Sequence, residues 1–315
     1  MPLSTSSSEE RGSKRSYTGA IACTLAALVL LLGCFEASIR FGFSRVSRIE
    51  SRTLKDKAAA LAVRHQGESR PSILLLGNSL LLEALDYGRL RAAMQPKADP
   101  TRFVIEQTTW FDWYFGIRRL FAEGVRPDRM VLCLNIDQLI GDRILGDYSA
   151  FYLIQTSDIW QAGRAAGYSL TRTSNLFFAR YSLGFAGLNN FRNFVLNKVS
   201  PSYGEALHDL RFAARPVGEK NSGVLEKSRV RLAELRSMCA EVHTRCDILI
   251  PPGLFPEGET DERELVEAGK LTGITVFIPV PVNAWGREMF RDGFHVTPAA
   301  AGTFTDLLAS ALQRP

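Results

Sequence analysis

Cysteine is scarce in this chain, with five in 315 residues, and none is spaced as Cys-x-x-Cys. That excludes a disulfide-stapled scaffold and a paired-cysteine zinc module. Histidine is scarcer still, at four. No pair of His or Cys residues has ligand spacing, so no metal is expected. Gly-x-Gly-x-x-Gly and Gly-x-x-x-x-Gly-Lys are both missing, so no nucleotide cofactor is expected either. A long basic run is missing too. The net charge is +5, but 38 basic residues are interspersed with 33 acidic ones, which argues against nucleic acid as a partner. There is no internal repeat, and no low-complexity segment beyond a Ser-rich start. What remains is ordinary globular material, 46% hydrophobic and 23% charged, enough for one sizeable core or two small ones.

One local feature escapes that average. Residues 1–15 are polar and read as a cytoplasmic tail, whereas Ser16 to Phe35 runs for twenty residues without a charge. A helix of that length spans about 30 Å, the thickness of a bilayer's hydrocarbon core. Residues 16–36 are therefore expected to be a single transmembrane anchor. Leu31-Leu32-Gly33-Cys34 loosely resembles a lipobox, but the stretch before it is long and Leu32 is unusual there, which favours an uncleaved anchor. The short first segment is placed inside and the bulk of the chain outside, in the periplasm of a bacterial inner membrane protein. In that compartment Cys239 and Cys246 could pair as a disulfide; two buried thiols are the alternative.

Residues 37–70 are charged and Ala-rich, which suits a helical stalk. From Pro71 short apolar runs alternate with amphipathic stretches. Strands are expected at 72–77, 102–107, 129–135, 246–252 and 274–279, with helices at 80–94, 111–124, 227–242, 263–273 and 298–312. Strands separated by helices indicate an α/β fold with an open five-stranded parallel sheet covered on both faces, and ligands then bind beyond the strands' carboxyl ends. The folded domain is expected over 71–315. Its alternation breaks between about 140 and 226, where Phe, Tyr, Leu and Gly recur. This is read as a helical insertion that caps the site, rests on the membrane surface or pads the core.

Two short constellations could carry chemistry. Gly77-Asn78-Ser79 directly follows the first strand, which puts the Ser79 hydroxyl at a strand-to-helix turn beside unpaired helix amides. Helix capping is the commoner job for a serine there. Asp292-Gly293-Phe294-His295 precedes the last helix. An Asp three residues before a His can hold one ring nitrogen and leave the other free to take a proton. The other histidines fall in the stalk (His65), the insertion (His208) and at a helix end (His243).

Strand-Gly-Asn-Ser near the start and Asp-x-x-His near the end resemble the SGNH (GDSL-type) hydrolase family, over roughly Pro71 to Pro315 outside the insertion. The resemblance implies a flavodoxin-like three-layer sandwich, with Ser79 as nucleophile, His295 as general base and Asp292 as its orienting partner. It also implies an oxyanion hole formed by the Ser79 amide and by Asn135, which follows the third strand. The chain departs from the pattern in three places. Asn78 replaces the usual Asp, and Cys133 stands where the third block begins with Gly. The second block lacks its glycine, leaving the backbone of Thr108 or Thr109 to serve. The implied activity is that of a membrane-anchored esterase or O-acyltransferase on acyl esters of cell-surface polysaccharide, within a polysaccharide-modification complex. A degenerate, non-catalytic domain acting as scaffold in envelope polysaccharide assembly is the alternative.

Overall fold

The computed structural model describes residues 9–66, 70–200, 202, 223–254, 258–292 and 294–313. Most of the tail (1–8), His208, Phe255 and Gly293 lie outside the described residues. In chain order the elements are α1 (Glu9–Ala37), α2 (Arg48–Leu61), β1 (Ser72–Gly77), α3 (Ser79–Ala84), α4 (Tyr87–Met94), β2 (Asp99–Val104), α5 (Trp110–Ala122) and β3 (Arg129–Cys133). There follow α6 (Ile136–Ile140), α7 (Tyr148–Leu153), α8 (Ile159–Ala165), α9 (Leu170–Tyr181), α10 (Leu183–Ala186) and α11 (Leu188–Val199). The chain closes with α12 (Val224–Glu241), β4 (Arg245–Leu249), α13 (Gly258–Thr272), β5 (Thr275–Phe277) and α14 (Pro298–Leu312).

The five strands form one parallel sheet in the order β2-β1-β3-β4-β5. This is the flavodoxin-like order, whose direction reverses between β1 and β3. Both faces are covered. Leu74 and Leu76 of β1 join Phe103, Met130, Leu132 and Ile248 under Trp110 and Trp113. Ile73 and Leu75 face the other way, with Val131 and Leu249, under Leu81, Leu90 and Phe304. Burial on both faces is why the strands read as unbroken apolar runs, and each fully buried Leu or Ile contributes about 1.5–3 kcal/mol. Gly77 ends β1 where the strands leave no room for a side chain: a β-carbon there would lie 2.9 Å from the Cys133 carbonyl oxygen.

Several expected boundaries moved, each for a physical reason. The helix expected over 80–94 is two helices, because Asp86 caps the second by accepting from the Arg89 amide at 3.0 Å. Its own amide donates to Thr305 at 2.9 Å, so the break leaves no orphan donor. The second strand is Asp99–Val104 rather than 102–107; after Ile105 donates to the Gly77 carbonyl (3.0 Å) the chain turns away to build the sheet's carboxyl edge.

The stretch expected as a stalk is instead packed on the body. α2 lies against β2, with Thr53 and Ala60 fully buried, Asp56 3.4 Å from Arg102 and Arg52 3.0 Å from Glu106. It runs opposite to the strands, since Glu106 follows the end of β2 while Val63, just past α2, accepts from the Arg126 amide ahead of β3. Helix α1 is long and apolar enough to cross a membrane. It continues through a π-helical stretch (Ser38–Phe43) and Ser44–Val46, and its most apolar window has a mean hydropathy of 2.2 with none of it buried. Cys239, near the end of α12, forms a disulfide with Cys246 of β4.

Candidate active site

The loop after β1 and the loop before α14 meet at the carboxyl edge, beside the point where the strand order reverses. Asn78, not Ser79, is the N-cap of α3: its Oδ1 accepts from the Leu80 amide at 3.0 Å. The capping role is thus taken, and the Ser79 hydroxyl is left for another partner. That partner is His295, with Nε2 3.0 Å from Ser79 Oγ. The other ring nitrogen, Nδ1, lies 2.7 Å from Asp292 Oδ2.

The His295 loop is held at its base. Phe290 and Val296 pair across it and both are buried, while the Arg291 amide donates to the His295 carbonyl at 2.8 Å. Beyond it, Thr297 caps α14 and Pro298 occupies its first turn, where a missing N–H costs nothing. Asp292 folds back over its own turn, accepting from the amides of Phe294 (3.0 Å) and His295 (2.8 Å). Partial burial pushes its carboxyl up, but the bonds from the His295 ring and the two amides outweigh that and hold it at about 2. An ionised carboxylate therefore faces Nδ1, which fixes that nitrogen as the N–H and leaves Nε2 as the acceptor toward Ser79.

The four residues expected around an oxyanion are less uniform. The Ser79 amide opens α3 and makes no hydrogen bond among the described residues. Asn135 caps α6, its Oδ1 accepting from the Gln138 amide at 2.8 Å, and its Nδ2 has no partner among the described residues. Thr109 is committed: its amide donates to Asp112 Oδ2 at 2.8 Å, within a capping box at the start of α5. Of the two threonines Thr108 has an amide with no hydrogen bond among the described residues, while its hydroxyl donates to the Ile105 carbonyl (2.7 Å) and accepts from Trp113 Nε1 (2.9 Å).

Two features at this edge were invisible in the sequence. Gln107 has φ +56°, the left-handed conformation that glycine normally supplies, in the turn between β2 and α5, which contains no glycine. Its only signal would have been Asn-like tolerance, which Gln does not share. Gln138 ties three loops together. Asn78 Nδ2 donates to Gln138 Oε1 and to the Thr108 carbonyl, both at 2.9 Å, and the Asn135 amide donates to the same Oε1 at 3.1 Å. The web links the ends of β1, β2 and β3. It also gives a reason for Asn at position 78, because only an amide nitrogen can donate to two acceptors there. Burial alone pushes the Cys133 thiol up, so it is an inert part of the core at the end of β3.

Among the described residues no group of three His, Cys, Asp or Glu side chains is placed to hold a metal. A cavity of about 640 Å³ between α5 and α12, lined by Arg118, Asp158 and Glu234 among others, does not include the Ser79–His295 pair.

No family model and no curated protein matches the chain. Among solved structures it is similar to the psychrotrophic esterase EstA from Pseudoalteromonas sp., at 12% identity and a TM-score of 0.38, over 77% of this chain and 97% of that one. It is similar to TesA at 12% identity and a TM-score of 0.37, over 77% of this chain and 98% of that one. Likeness at this level carries no argument about chemistry, so the reading of the site stands on the distances between Ser79, His295 and Asp292.

Proposed function

We propose that this chain is an SGNH-type serine hydrolase or acyltransferase, anchored by α1 and acting outside the cytoplasm on acyl esters of envelope carbohydrate. One observation carries the chemistry: Ser79 Oγ, His295 and Asp292 stand in a single hydrogen-bonded line, at 3.0 and 2.7 Å. Ser79 attacks the ester carbonyl while Nε2 of His295 takes its proton. Asp292 stabilises the imidazolium that forms, and His295 then returns the proton to the leaving alkoxide. The acyl-enzyme passes its acyl group to water or to a sugar hydroxyl, activated by the same imidazole. The Ser79 amide and Asn135 Nδ2 are the proposed oxyanion donors, each worth about 10²–10³ in rate. The Thr108 amide is proposed as the third, oriented by the left-handed turn at Gln107.

The position outside the cytoplasm is supported by the disulfide between Cys239 and Cys246, a bond at home in an oxidising compartment. A fluorophosphonate probe on detergent-solubilised full-length protein tests the mechanism. Labelling is expected in the wild type and absent in Ser79→Ala. A folded chain that never labels would instead be the non-catalytic scaffold.

A further inference from the structure

The aromatic face of the insertion is left largely uncovered among the described residues, although the Tyr181 hydroxyl meets Thr156 Oγ1 at 2.9 Å. Phe177, Phe178, Tyr181 and Phe185 of α9 and α10 are 44%, 56%, 50% and 40% exposed. They touch in series, with ring centroids 5.9 Å apart for Phe177–Phe178, 5.0 Å for Phe177–Tyr181 and 6.0 Å for Phe178–Phe185. A contiguous exposed aromatic surface on a folded chain marks an interaction site rather than scatter.

Its place in the molecule says what covers it. The face sits at the foot of the apolar helix α1, and that foot is locked to the insertion. Glu36 accepts from the amides of Leu183 (2.8 Å) and Gly184 (2.9 Å) and from Ser182 Oγ (2.7 Å), and it pairs with Arg40 at 2.5 Å. Arg40 in turn donates to the Tyr181 carbonyl at 2.7 Å. Phe43 packs on Phe191 and Phe194 of α11, with centroids 5.5 and 5.3 Å apart. Gly184 lets this junction close, because a β-carbon there would lie 2.7 Å from the Phe35 ring. The helix therefore leaves the body in a fixed direction and not on a loose tether.

The direction follows from α2. Its fourteen residues rise about 21 Å, roughly the length of a six-residue strand. Its first turn is at the carboxyl edge of the sheet, where Glu50 accepts from Tyr148 (2.6 Å) and from Tyr152, and Arg52 meets Glu106. The foot of α1 and the Ser79 edge are consequently on the same side of the domain. Arg45 and Arg48, which follow the foot of α1, and Arg192 and Lys198 of α11, which packs on that foot, are exposed and suit anionic headgroups.

We infer that this face beds in the interface of the membrane that α1 crosses, turning the Ser79 edge toward the bilayer, so that the ester worked on is an amphiphile presented from that membrane. The inference rests on the proposed anchor and nucleophile. Its test uses full-length protein in nanodiscs of phosphatidylethanolamine and phosphatidylglycerol, with and without brominated acyl chains. Phe178→Trp and Phe185→Trp report on the face, and Leu271→Trp, 61% exposed on α13, is the control. The added emission of the first two should be largely lost in brominated lipid and that of the control retained. Replacing Phe177, Phe178 and Phe185 together by Ser should lower turnover of a short-chain ester on a lipid headgroup about tenfold, with p-nitrophenyl acetate turnover unchanged. Equal emission of all three probes in both lipids overturns the inference. So does unquenched emission in a particle of twice the protein mass, which would mean a second copy covers the face. Fluorophosphonate labelling of Ser79 in the same discs separates a failed docking face from a failed mechanism.

Discussion

Among the described residues, Asp292, in the loop before α14, accepts hydrogen bonds from three groups, as does Asp112, in the first turn of α5. Asp292 receives them from the amides of Phe294 and His295 and from the His295 ring. Asp112 receives them from the amide and hydroxyl of Thr109 and from Ser149. Yet the two carboxyls titrate in opposite directions. Asp112 is fully buried and pairs with no cation among the described residues, and burial lifts it to about 6 against the pull of its donors. Asp292 keeps 21% of its side chain exposed and faces a ring able to carry positive charge, and it is held at about 2. Donor count does not set the charge; desolvation and the identity of one donor do. Asp292 thus carries the charge that the proposed proton transfer at His295 needs, whereas Asp112 holds the start of α5 in place.

Asp292→Asn breaks this contrast at its most sensitive point. The amide keeps the shape and loses the charge, so the imidazole can be held in the wrong tautomer. Ester turnover should fall about 10⁴-fold, with only a modest drop in the denaturant midpoint, since the partly exposed carboxylate also stabilises its own turn. A comparable loss of stability would mean that Asp292 is a structural carboxyl like Asp112. Because Asp292 is ionised down to about pH 2, its protonation should play no part in any acid limb measured above about pH 3.

A third carboxylate can be placed at the same edge by Asn78→Asp. Position 78 is fully buried, and its Nδ2 points at two acceptors, the Thr108 carbonyl and Gln138 Oε1. The new group would meet acceptors where Asp112 and Asp292 meet donors. It should cost about 2–4 kcal/mol in urea unfolding at pH 7, less at pH 5, where the acid can take up a proton and donate. A neutral effect at both values would show that the three-loop web is not under strain from charge.

Asp112 supplies the next effect in size. The folded chain holds this proton to higher pH than the unfolded chain does. Its contribution to stability is therefore full below about pH 4 and lost as pH rises through about 6. The swing is about 3 kcal/mol between those limits. Urea titrations of wild type and Asp112→Asn at pH 4 and pH 7 should show the difference between them change by that amount, with probe labelling of Ser79 retained in the variant.

How much of this was legible depends on whether a feature leaves a local mark. Strands buried on both faces leave apolar runs, and the alternation with helices left the five-stranded sheet readable. Gly-Asn-Ser after β1 and Asp-x-x-His before α14 are local patterns, so the residues that the structure brings together could be named without it. Interactions that join distant segments leave no such mark. Gln138 reads as an ordinary helix residue, and nothing in Glu106-Gln107-Thr108 announces a left-handed turn. The charged, Ala-rich run after α1 reads as a helical stalk because the segment that buries Thr53 and Ala60, β2, lies about forty residues further on. Sequence alone cannot choose between the amides of Thr108 and Thr109, because the bond by which Asp112 holds the second leaves no mark in it.

That last point yields the mildest substitution. Thr109→Ala removes a hydroxyl that donates to Asp112 at 3.0 Å and lies beside the Arg143 carbonyl, but it leaves the backbone amide in place. Asp112 then keeps two of its three donors, and its carboxyl should move higher still, since burial is unchanged while one opposing bond is gone. The cost should be about 1 kcal/mol, measured by urea unfolding at pH 7, where the carboxyl is charged, and smaller at pH 4, where it is not. Turnover should be unaltered, because an amide bonded to Asp112 has no proton left for an oxyanion. A tenfold loss of turnover at full stability would put Thr109 back into the oxyanion site and make Asp112 part of the catalytic edge rather than its support.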